Sequence, residues 1–400
     1  MKILCVFGQH NYGDPARGEG YEYSNFLPAL RNLGHEVQLF DSFNRTIYSD
    51  FIALNKALLN AVQNFRPDVV FCVLMGYEIW LETLALIRAT GVHLVNWGTD
   101  DSWKYDQFSR FVAPAFDLWA TTSHEAIQKG HRHGLRNMVL TQWAASSSRM
   151  AEPLAANECC YSVTFIGSAY GNRPRWVEAL KLRGIEVACF GHGWPNGSIV
   201  SEEIPRIVRA SVVSLNFGDS GLQFRNLRFH RSRQIKARIF EVPGAGGCLL
   251  TENAEYLEDY FVPDQEILVF NQIDQLIKKI DLLVSHPEQR DAIAWAGYHR
   301  TLCEHTYEAR FEKLLNSLPK TELPTPIDFS AFENSANRHR LSKIGRIFRA
   351  ICISLFVLIW GRQRGPRAAR RFVYELSWRI LRKHTYTSAG LPGRWFYYES

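Results

Sequence analysis

The sequence predicts an α/β protein with two Rossmann-like, doubly wound parallel sheets that face a cleft, followed by a basic amphipathic helical tail. Short apolar runs rich in β-branched residues alternate with segments of helical length, which is typical of βαβ units. This alternation stops at a polar stretch and then begins again, and cations are concentrated near the C-terminus. We therefore predict a first domain over 1–150, a second over 160–318, a linker over 319–337 and a tail over 338–400.

The first domain is predicted from five apolar runs of strand length. They cover 2–8, 35–41, 68–74, 93–98 and 118–123. Segments of helical length lie between them, at 23–33, 50–65, 77–90 and 124–133. Strands joined through helices pair in parallel, with helices on both faces of the sheet.

The loop after the first strand, over 8–24, contains four glycines and opens a helix. Its glycine spacing is not GxGxxG, so a dinucleotide-dependent dehydrogenase is disfavoured. We interpret the loop as an acceptor-binding loop with Gly18 and Glu19 as contacts. A plain turn is the alternative.

A polar cluster, NWGTDDSW, follows the fourth strand at 96–103. Carboxylates beside indoles suit sugar hydroxyls, so Asn96, Trp97 and Asp101 are interpreted as acceptor-binding residues and Asp100 as a candidate catalytic base. The two acids are adjacent, DD rather than DxD, and no metal site is predicted. N-capping of a helix by Asp100 is the competing interpretation.

His124 has the corresponding position after the fifth strand and is a second candidate base, since histidine titrates near neutrality. The alternative is that Ser123 caps the following helix and His124 is solvated.

The second domain is predicted from a second set of apolar runs. They cover 161–167, 185–191, 211–217, 247–252 and 266–270. Helical segments are predicted at 173–183, 232–241, 273–285 and 287–304. Ligands of such sheets bind at the carboxyl ends of the strands, here the mouth of the predicted cleft.

The strongest constellation lies in 234–253, where a basic helix segment is followed by an acid, a glycine-rich turn and a strand. Glu241 is suited to ribose hydroxyls, and Lys236 and Arg238 to a diphosphate. The glycines of the turn would let a diphosphate approach the backbone. The turn contains Gly244, Gly246 and Gly247.

This segment resembles the nucleotide-sugar site of the glycosyl transferases group 1 type, closest to the spore-maturation (CgeB-like) glycosyltransferase family. Lys236, Arg238, Phe240, Glu241, Gly246 and Gly247 match that family's pattern of basic residues, Phe-Glu and a glycine pair. The stretches over 163–176, 255–261 and 286–315 agree with it.

The resemblance implies a GT-B fold and a metal-independent, hexosyltransferase-like enzyme without a cofactor. A nucleoside-diphosphate sugar would be the co-substrate, and a glycan, lipid-linked or surface-polymer molecule the acceptor. Arg173, Lys236 and Arg238 would bind the donor, Arg173 and Lys236 acting catalytically on the departing diphosphate. Glu241, Gly246 and Gly247 would complete the donor site.

One departure concerns the position eight residues before Glu241, where relatives with two spaced glutamates have an acid and this chain has Arg233. An arginine-rich insert over 221–234 precedes the site. A non-catalytic relative that binds a nucleotide sugar or a glycan is therefore the alternative function.

The tail carries the basic charge of the protein. Residues 338–383 hold thirteen of the 46 Lys and Arg but only one of the 40 Asp and Glu, Glu375. Its apolar residues follow helical spacing, and the apolar stretch 350–360 is too short to span a bilayer. We predict contact of 338–383 with an anionic membrane surface, with packing against the catalytic domains as the alternative. Nucleic acid is the least favoured partner, because the tail is largely apolar and lacks a reading module.

The eight cysteines lack metal-ligand spacing and are interpreted as thiols in a reducing compartment. The N-terminal run has neither the length nor the cleavage site of a signal peptide. We therefore expect a cytoplasmic protein, peripheral at the inner face of the cell membrane.

Overall fold

The protein forms two compact units. The structure is a computed structural model that describes residues 1–225, 228–319 and 325–399. Unit 1 consists of Met1–Gln142 and Phe311–Ser400, and unit 2 of Trp143–Arg310. The C-terminal part of the chain thus folds with the N-terminal sheet, a feature that the predicted order of domains did not include.

The strands and helices follow each other as expected for repeated βαβ units. The strands are β1 Lys2–Phe7, β2 Glu36–Asp41, β3 Val69–Cys72, β4 His93–Gly98, β5 Leu118–Thr121, β6 Met138–Leu140, β7 Tyr161–Ile166, β8 Ala188–Phe190, β9 Ser211–Asn216, β10 Asp219–Arg225, β11 Arg228–Arg233, β12 Leu249–Glu252 and β13 Leu268–Phe270. The helices are α1 Tyr21–Asn32, α2 Phe51–Phe65, α3 Leu81–Arg88, α4 Asp101–Lys104, α5 Arg110–Val112, α6 His124–Arg132, α7 Arg173–Lys181, α8 Glu203–Arg209, α9 Arg238–Gly244, α10 Ile273–Ser285, α11 Pro287–Glu304, α12 Tyr307–Leu315, α13 Phe329–His339, α14 Lys343–Leu381 and α15 Leu391–Trp395.

Unit 1 contains a six-stranded sheet in the order β2-β1-β3-β4-β5-β6, and all its neighbours pair in parallel. Helices supply the apolar side chains that cover it, including the fully buried Phe51 and Leu58 of α2. A central parallel strand has both faces covered, which is why the predicted runs are apolar throughout. The predicted doubly wound α/β architecture is confirmed.

The chain beyond residue 325 packs on the helices of unit 1. Phe332 of α13 stacks on Trp80, with ring centroids 6.0 Å apart and an interplanar angle of 16°. Tyr386 and Tyr397 join the same core. The predicted linker thus contains part of a packed helix, because its apolar residues pack on α2 and α3. Residues 320–324 of the predicted linker lie outside the described part.

Helix α14 reverses direction at Gly361, whose φ of +75° and ψ of 172° are not helical. It therefore consists of a first arm, 343–360, and a second arm, 362–381. The arms lie side by side, since the rings of Phe356 and Phe372 are 5.3 Å apart. A Cβ on Gly365 would lie 2.6 Å from the Val357 Cα, so the close approach requires glycine.

Unit 2 contains a five-stranded parallel sheet in the order β13-β12-β9-β7-β8 and a separate antiparallel pair, β10 and β11. Arg290 of α11 is fully buried and donates to the carbonyls of Leu154, Ser211 and Val212 over 2.6–3.0 Å. These bonds satisfy a buried cation and join the segment before β7 to β9. The second doubly wound sheet is also confirmed.

Candidate functional site

The carboxyl edge of the unit 2 sheet provides the geometry of a ligand site. Strand β7 has β8 on one side and β9 on the other, so the winding of the chain reverses between β7 and β9. Ligands of doubly wound sheets bind outside the strand ends at this switch point. Gly167 directly follows β7 there, with a φ of +156°.

Two arginines converge on Gly167. A Cβ placed on this glycine would lie 3.0 Å from Nη1 of Arg238 and 3.4 Å from Nη1 of Arg173. Arg173 is 6% exposed, and its Nη1 donates to the Ser168 carbonyl over 3.0 Å. Its guanidinium lies 4.0 Å from the centroid of the Tyr170 ring. Two like charges held at one point favour an anion between them, and guanidinium groups suit phosphate oxygens.

The start of helix α7 adds a polar group that the sequence did not indicate. Asn172 is 5% exposed, and both its Oδ1 and Nδ2 atoms lack a hydrogen-bond partner among the described residues. An unsatisfied buried amide destabilises a fold by about 1–3 kcal/mol. It precedes Arg173, at a helix N-terminus that carries a partial positive charge. The Pro at the first turn of α7 signals this helix start but not the buried amide.

Of the remaining predicted donor residues, Glu241 and Lys236 are half-buried near α9. Lys236 Nζ donates to Gln234 Oε1 over 3.2 Å. Glu241 lies in the first turn of α9, beside the fully buried Phe240.

Gly246 and Gly247, the glycine pair of the predicted donor site, are closely packed. A Cβ on Gly246 would be 2.6 Å from the Ala151 carbonyl oxygen, and one on Gly247 would be 2.5 Å from Val208 Cγ1. A side chain at either position would therefore meet protein atoms, so close packing already requires a glycine at both. These two glycines serve chain packing, and the glycine beside the cations is Gly167.

Arg233, the departure noted in the sequence, forms an ion pair with a buried acid. Its Nε lies 2.9 Å from Oε1 of Glu252, which is fully buried at the end of β12. The other carboxylate oxygen of Glu252 accepts from the Gly218 amide over 3.1 Å, and the Gln234 amide donates to the Gly218 carbonyl over 2.9 Å. Glu252 thus holds both ends of the β10–β11 pair, the insert noted above. Residues 226–227 of that insert lie outside the described part.

The carboxyl edge of the unit 1 sheet brings two acids near each other. Asp100 is 38% exposed at its side chain, 3.1 Å from Lys104 Nζ, and it makes no side-chain cap to α4. Glu22 of α1 keeps part of its surface exposed, but burial raises its pKa, and the nearby Asp100 charge adds to the increase. Glu22 was not predicted as a site residue, because acids are common in the first turn of a helix.

The other predicted residues of this edge are buried. Trp97 is fully buried, and its ring packs 5.1 Å from that of Phe26. Asp101 accepts hydrogen bonds from Ser109 Oγ and, over 2.9 Å, from Trp119 Nε1, and burial raises its pKa. Trp97 and Asp101 thus stabilise the sheet edge, so their predicted contact with an acceptor is not supported.

Asn96 is a buried residue of β4, and its Oδ1 accepts from the Leu74 amide over 3.1 Å. His124 begins α6, half-buried, while Ser123 Oγ accepts from the Ala126 amide over 3.2 Å. The alternative interpretation of Ser123 as the helix cap therefore holds.

Gly18 and Glu19 are exposed on the loop after β1. Glu19 accepts a hydrogen bond from Ser24 Oγ over 2.9 Å. The φ of +76° at Gly18 is one that favours glycine, and a Cβ there would meet no atom within 4 Å. Backbone conformation alone thus explains this glycine.

Comparisons with known proteins give one family match in unit 2. Residues 173–316 match the model of a family described as glycosyl transferase-like. The match begins at Arg173 and includes Arg238 and Glu241. No curated protein is similar enough in sequence to count as a relative.

Several solved structures are similar in fold. They include sucrose-phosphate synthase from Thermosynechococcus elongatus, with 10% identity, a TM-score of 0.54 and coverage of 79% of this chain and 98% of that chain. A glycosyltransferase from Rickettsia africae has 13% identity, a TM-score of 0.52 and coverage of 79% and 97%. Anabaena HepE in complex with UDP has 11% identity, a TM-score of 0.51 and coverage of 80% and 100%. These likenesses show the GT-B fold.

Proposed function

We propose that the protein is a metal-independent glycosyltransferase. It would move a sugar from a nucleoside-diphosphate sugar to a glycan, lipid-linked or surface-polymer acceptor. The convergence of Arg173 and Arg238 on Gly167 at the sheet switch point carries this proposal. The glycosyl transferase-like match over 173–316 supports it, as does the likeness to HepE, which was solved with UDP-glucose.

The chemistry explains why cations belong at this point. The bond between the anomeric carbon and the β-phosphate oxygen breaks, the acceptor hydroxyl bonds to that carbon, and its proton passes to a base. Negative charge grows on the leaving diphosphate, and fixed positive groups stabilise it most where water is excluded. Arg173 and Arg238 supply that charge, Lys236 is a further candidate, and Glu241 binds the ribose.

Asp100 is the proposed acceptor-side base, and His124 is the second candidate. Asp100 is accessible at the end of β4 and lies near Glu22, whose carboxyl has a raised pKa. We expect Asp100→Asn to abolish transfer while nucleotide binding persists, whereas His124→Gln should have a small effect. Loss of transfer in His124→Gln, with a small effect of Asp100→Asn, would instead identify His124 as the base.

Nucleotide binding and donor hydrolysis by the purified protein test the proposal. A nucleoside diphosphate at a hundred times its dissociation constant should stabilise the fold by about 2.7 kcal/mol, which a thermal-shift assay detects. The shift and the hydrolysis should both be lost in Glu241→Ala and should both persist in the presence of EDTA. Loss of activity on chelation would contradict a metal-independent reaction.

A second function is favoured by Arg233, which stands where relatives with two spaced glutamates have an acid and which is held in an ion pair with Glu252. In that case the protein would bind a nucleotide sugar or glycan without turnover. Binding of nucleotide with no hydrolysis and no transfer to any acceptor would support this alternative.

A further inference from the structure

The outer face of the α14 hairpin carries a stripe of exposed apolar side chains. On the first arm the stripe follows helical spacing, at Ile344, Ile347, Phe348, Ile351, Leu355 and Leu358. Leu358, next to the turn, is 83% exposed. Contiguous exposed apolar surface of this kind is uncommon on a monomeric protein and indicates an interaction site.

The opposite face of the first arm is attached to the protein. At 100° per residue, Ile353 and Phe356 point away from the stripe and Cys352 lies at its border. All three pack against the buried cluster of Ala369, Val373 and Phe396. On the same side Arg349 donates to the Trp395 carbonyl and, over 2.8 Å, to Glu399. The stripe is therefore held outward by the fold.

The second arm has exposed apolar side chains of its own. Phe372, Leu376 and Ile380 are exposed at intervals of four residues. Phe372 contacts Phe356, which stacks on Trp360 with centroids 5.2 Å apart. Because Phe356 points away from the stripe, these side chains are separate from it, and we call the stripe of the first arm the hairpin face.

Charge identifies the partner. Nine Lys and Arg lie in α14 against one acid, Glu375, which already pairs with Arg379 over 2.6 Å. Arg362, Arg364 and Arg367 are exposed directly after the turn. A second copy of this chain would bring these cations against each other, and nucleic acid would leave the apolar stripe exposed to water. An anionic lipid surface satisfies both the cations and the apolar face.

The length of the apolar part of α14 distinguishes a membrane-spanning helix from one that lies in the membrane interface. Within the described residues, one helix, Lys343–Tyr386, is long and apolar enough by composition to cross a membrane, and its most apolar window is not buried. The turn at Gly361 divides it, and the apolar stretch 350–360 extends only ~16 Å of the ~30 Å of hydrocarbon. We propose that the hairpin face lies in the interface of one anionic leaflet, with Trp360 at headgroup level and the arginines on phosphates.

Co-sedimentation of the full chain with vesicles tests this inference without depending on the proposed sugar transfer. We expect binding to vesicles of phosphatidylcholine with phosphatidylglycerol and weak binding to phosphatidylcholine alone. Leu355→Ser with Leu358→Ser should weaken binding at least about tenfold, because burial of one leucine side chain contributes roughly that factor. Leu182→Ser, an equally exposed site in unit 2, is the matched control.

A second variant tests the cations. Arg362→Gln, Arg364→Gln and Arg367→Gln together should lower binding by about fivefold per arginine, whereas Arg206→Gln in unit 2 should not change it. Thermal unfolding should be unchanged in each variant, since all the replaced side chains are exposed. Wild-type binding by the leucine variant, or no binding by the wild type, would overturn the inference. A dimer in light scattering that the leucine variant dissociates would overturn it in favour of a second copy.

Discussion

At the scale of single residues, the two converging arginines make the most direct prediction. A charge-assisted hydrogen bond contributes about 1.5–3 kcal/mol, or roughly tenfold to a hundredfold in affinity. We expect Arg238→Gln and Arg173→Gln each to weaken nucleoside diphosphate binding by this factor, measured by calorimetry. Because both groups would contact one diphosphate, the double variant should lose less than the sum of the two.

Arg175→Gln provides the control, since this exposed arginine lies in the same first turn of α7. Nucleosides without phosphate should bind the wild type and all four variants alike. Equal weakening of nucleoside and diphosphate binding would indicate a folding defect at α7 instead of a lost phosphate contact.

Asp101 should make the stability of unit 1 depend on pH. Burial raises its pKa above the ordinary value of 3.8, so the folded protein keeps this proton at pH values where the unfolded chain has lost it. Its contribution to the free energy of unfolding is therefore complete below pH 3.8 and declines as the pH rises toward the folded pKa. Asp101→Asn abolishes this titration. It also leaves one of the two donors, Ser109 Oγ or Trp119 Nε1, without a carboxylate oxygen as its acceptor.

We expect this variant to be destabilised by about 1–3 kcal/mol at acid pH, with the gap to the wild type narrowing as the pH rises. Urea unfolding over a pH series measures the gap. Asp274→Asn, an exposed carboxylate of unit 2, should show no such trend. A gap that widens with pH would contradict a raised pKa.

The sequence predicted the chemistry of residues better than their exposure. Arg173 and Arg238 lie together, as a shared role in donor binding requires, and each is the first residue of its helix, α7 or α9. Trp97, near the end of β4, and Asp101, at the start of α4, also lie at the carboxyl edge of a sheet, but both side chains are buried. Residue type and location along a strand do not distinguish these cases, since neighbouring residues at a strand end point to opposite sides.

At the scale of elements, the Arg233–Glu252 pair should decide how firmly the β10–β11 pair is attached. Glu252→Gln keeps one acceptor for the Gly218 amide but removes the charge that Arg233 needs, and Arg233→Met leaves a buried carboxylate without its cation. Each should lower the free energy of unfolding by about 1–3 kcal/mol. The double variant should lose less than the sum, because it removes the whole pair.

Hydrogen exchange reports on the same attachment. Backbone amides over 218–225 and 228–234 should exchange faster in Glu252→Gln, while those of β8 should not change. If the unfolding free energies of the two single variants add up in the double variant, and hydrogen exchange is unchanged, the ion pair does not contribute to attaching β10 and β11.

Elements were predictable where apolar runs and lengths are distinctive, as in β1, β4 and β9. The β10–β11 pair was not predicted, because its sequence is polar and arginine-rich and was interpreted as part of an insert. The reversal of α14 was also missed. Gly361 is tolerated inside many helices, and only its positive φ and the packing of the second arm reveal a turn.

At the scale of the whole molecule, the sequence predicted two parallel sheets but not the return of the chain to unit 1. Hydrophobic periodicity is local, so it identifies helices without indicating which surface they cover. The C-terminal residues 384–399 read as an appendage, yet Tyr386 and Tyr397 are buried in the core of unit 1.

This burial predicts that the tail cannot be removed without damage to unit 1. Tyr386 is fully buried, and its hydroxyl donates to the Gln107 carbonyl, while the Tyr397 hydroxyl donates to the Tyr48 carbonyl over 2.6 Å. Replacement of a large buried aromatic residue by alanine costs about 3–5 kcal/mol, and a domain has about 5–15 kcal/mol in total. Truncation after residue 383 should therefore unfold unit 1 or nearly so.

Thermal unfolding followed by circular dichroism measures the effect, with Tyr386→Ala expected to lower the free energy of unfolding by about 3–5 kcal/mol. Tyr398→Ala is the matched control, because that neighbouring tyrosine is 74% exposed. A truncated chain with the stability of the wild type would show that residues 384–399 are dispensable. If truncation unfolds unit 1, loss of membrane association on deletion of the tail would reflect unfolding. The hairpin face therefore has to be tested by surface substitutions in the full chain.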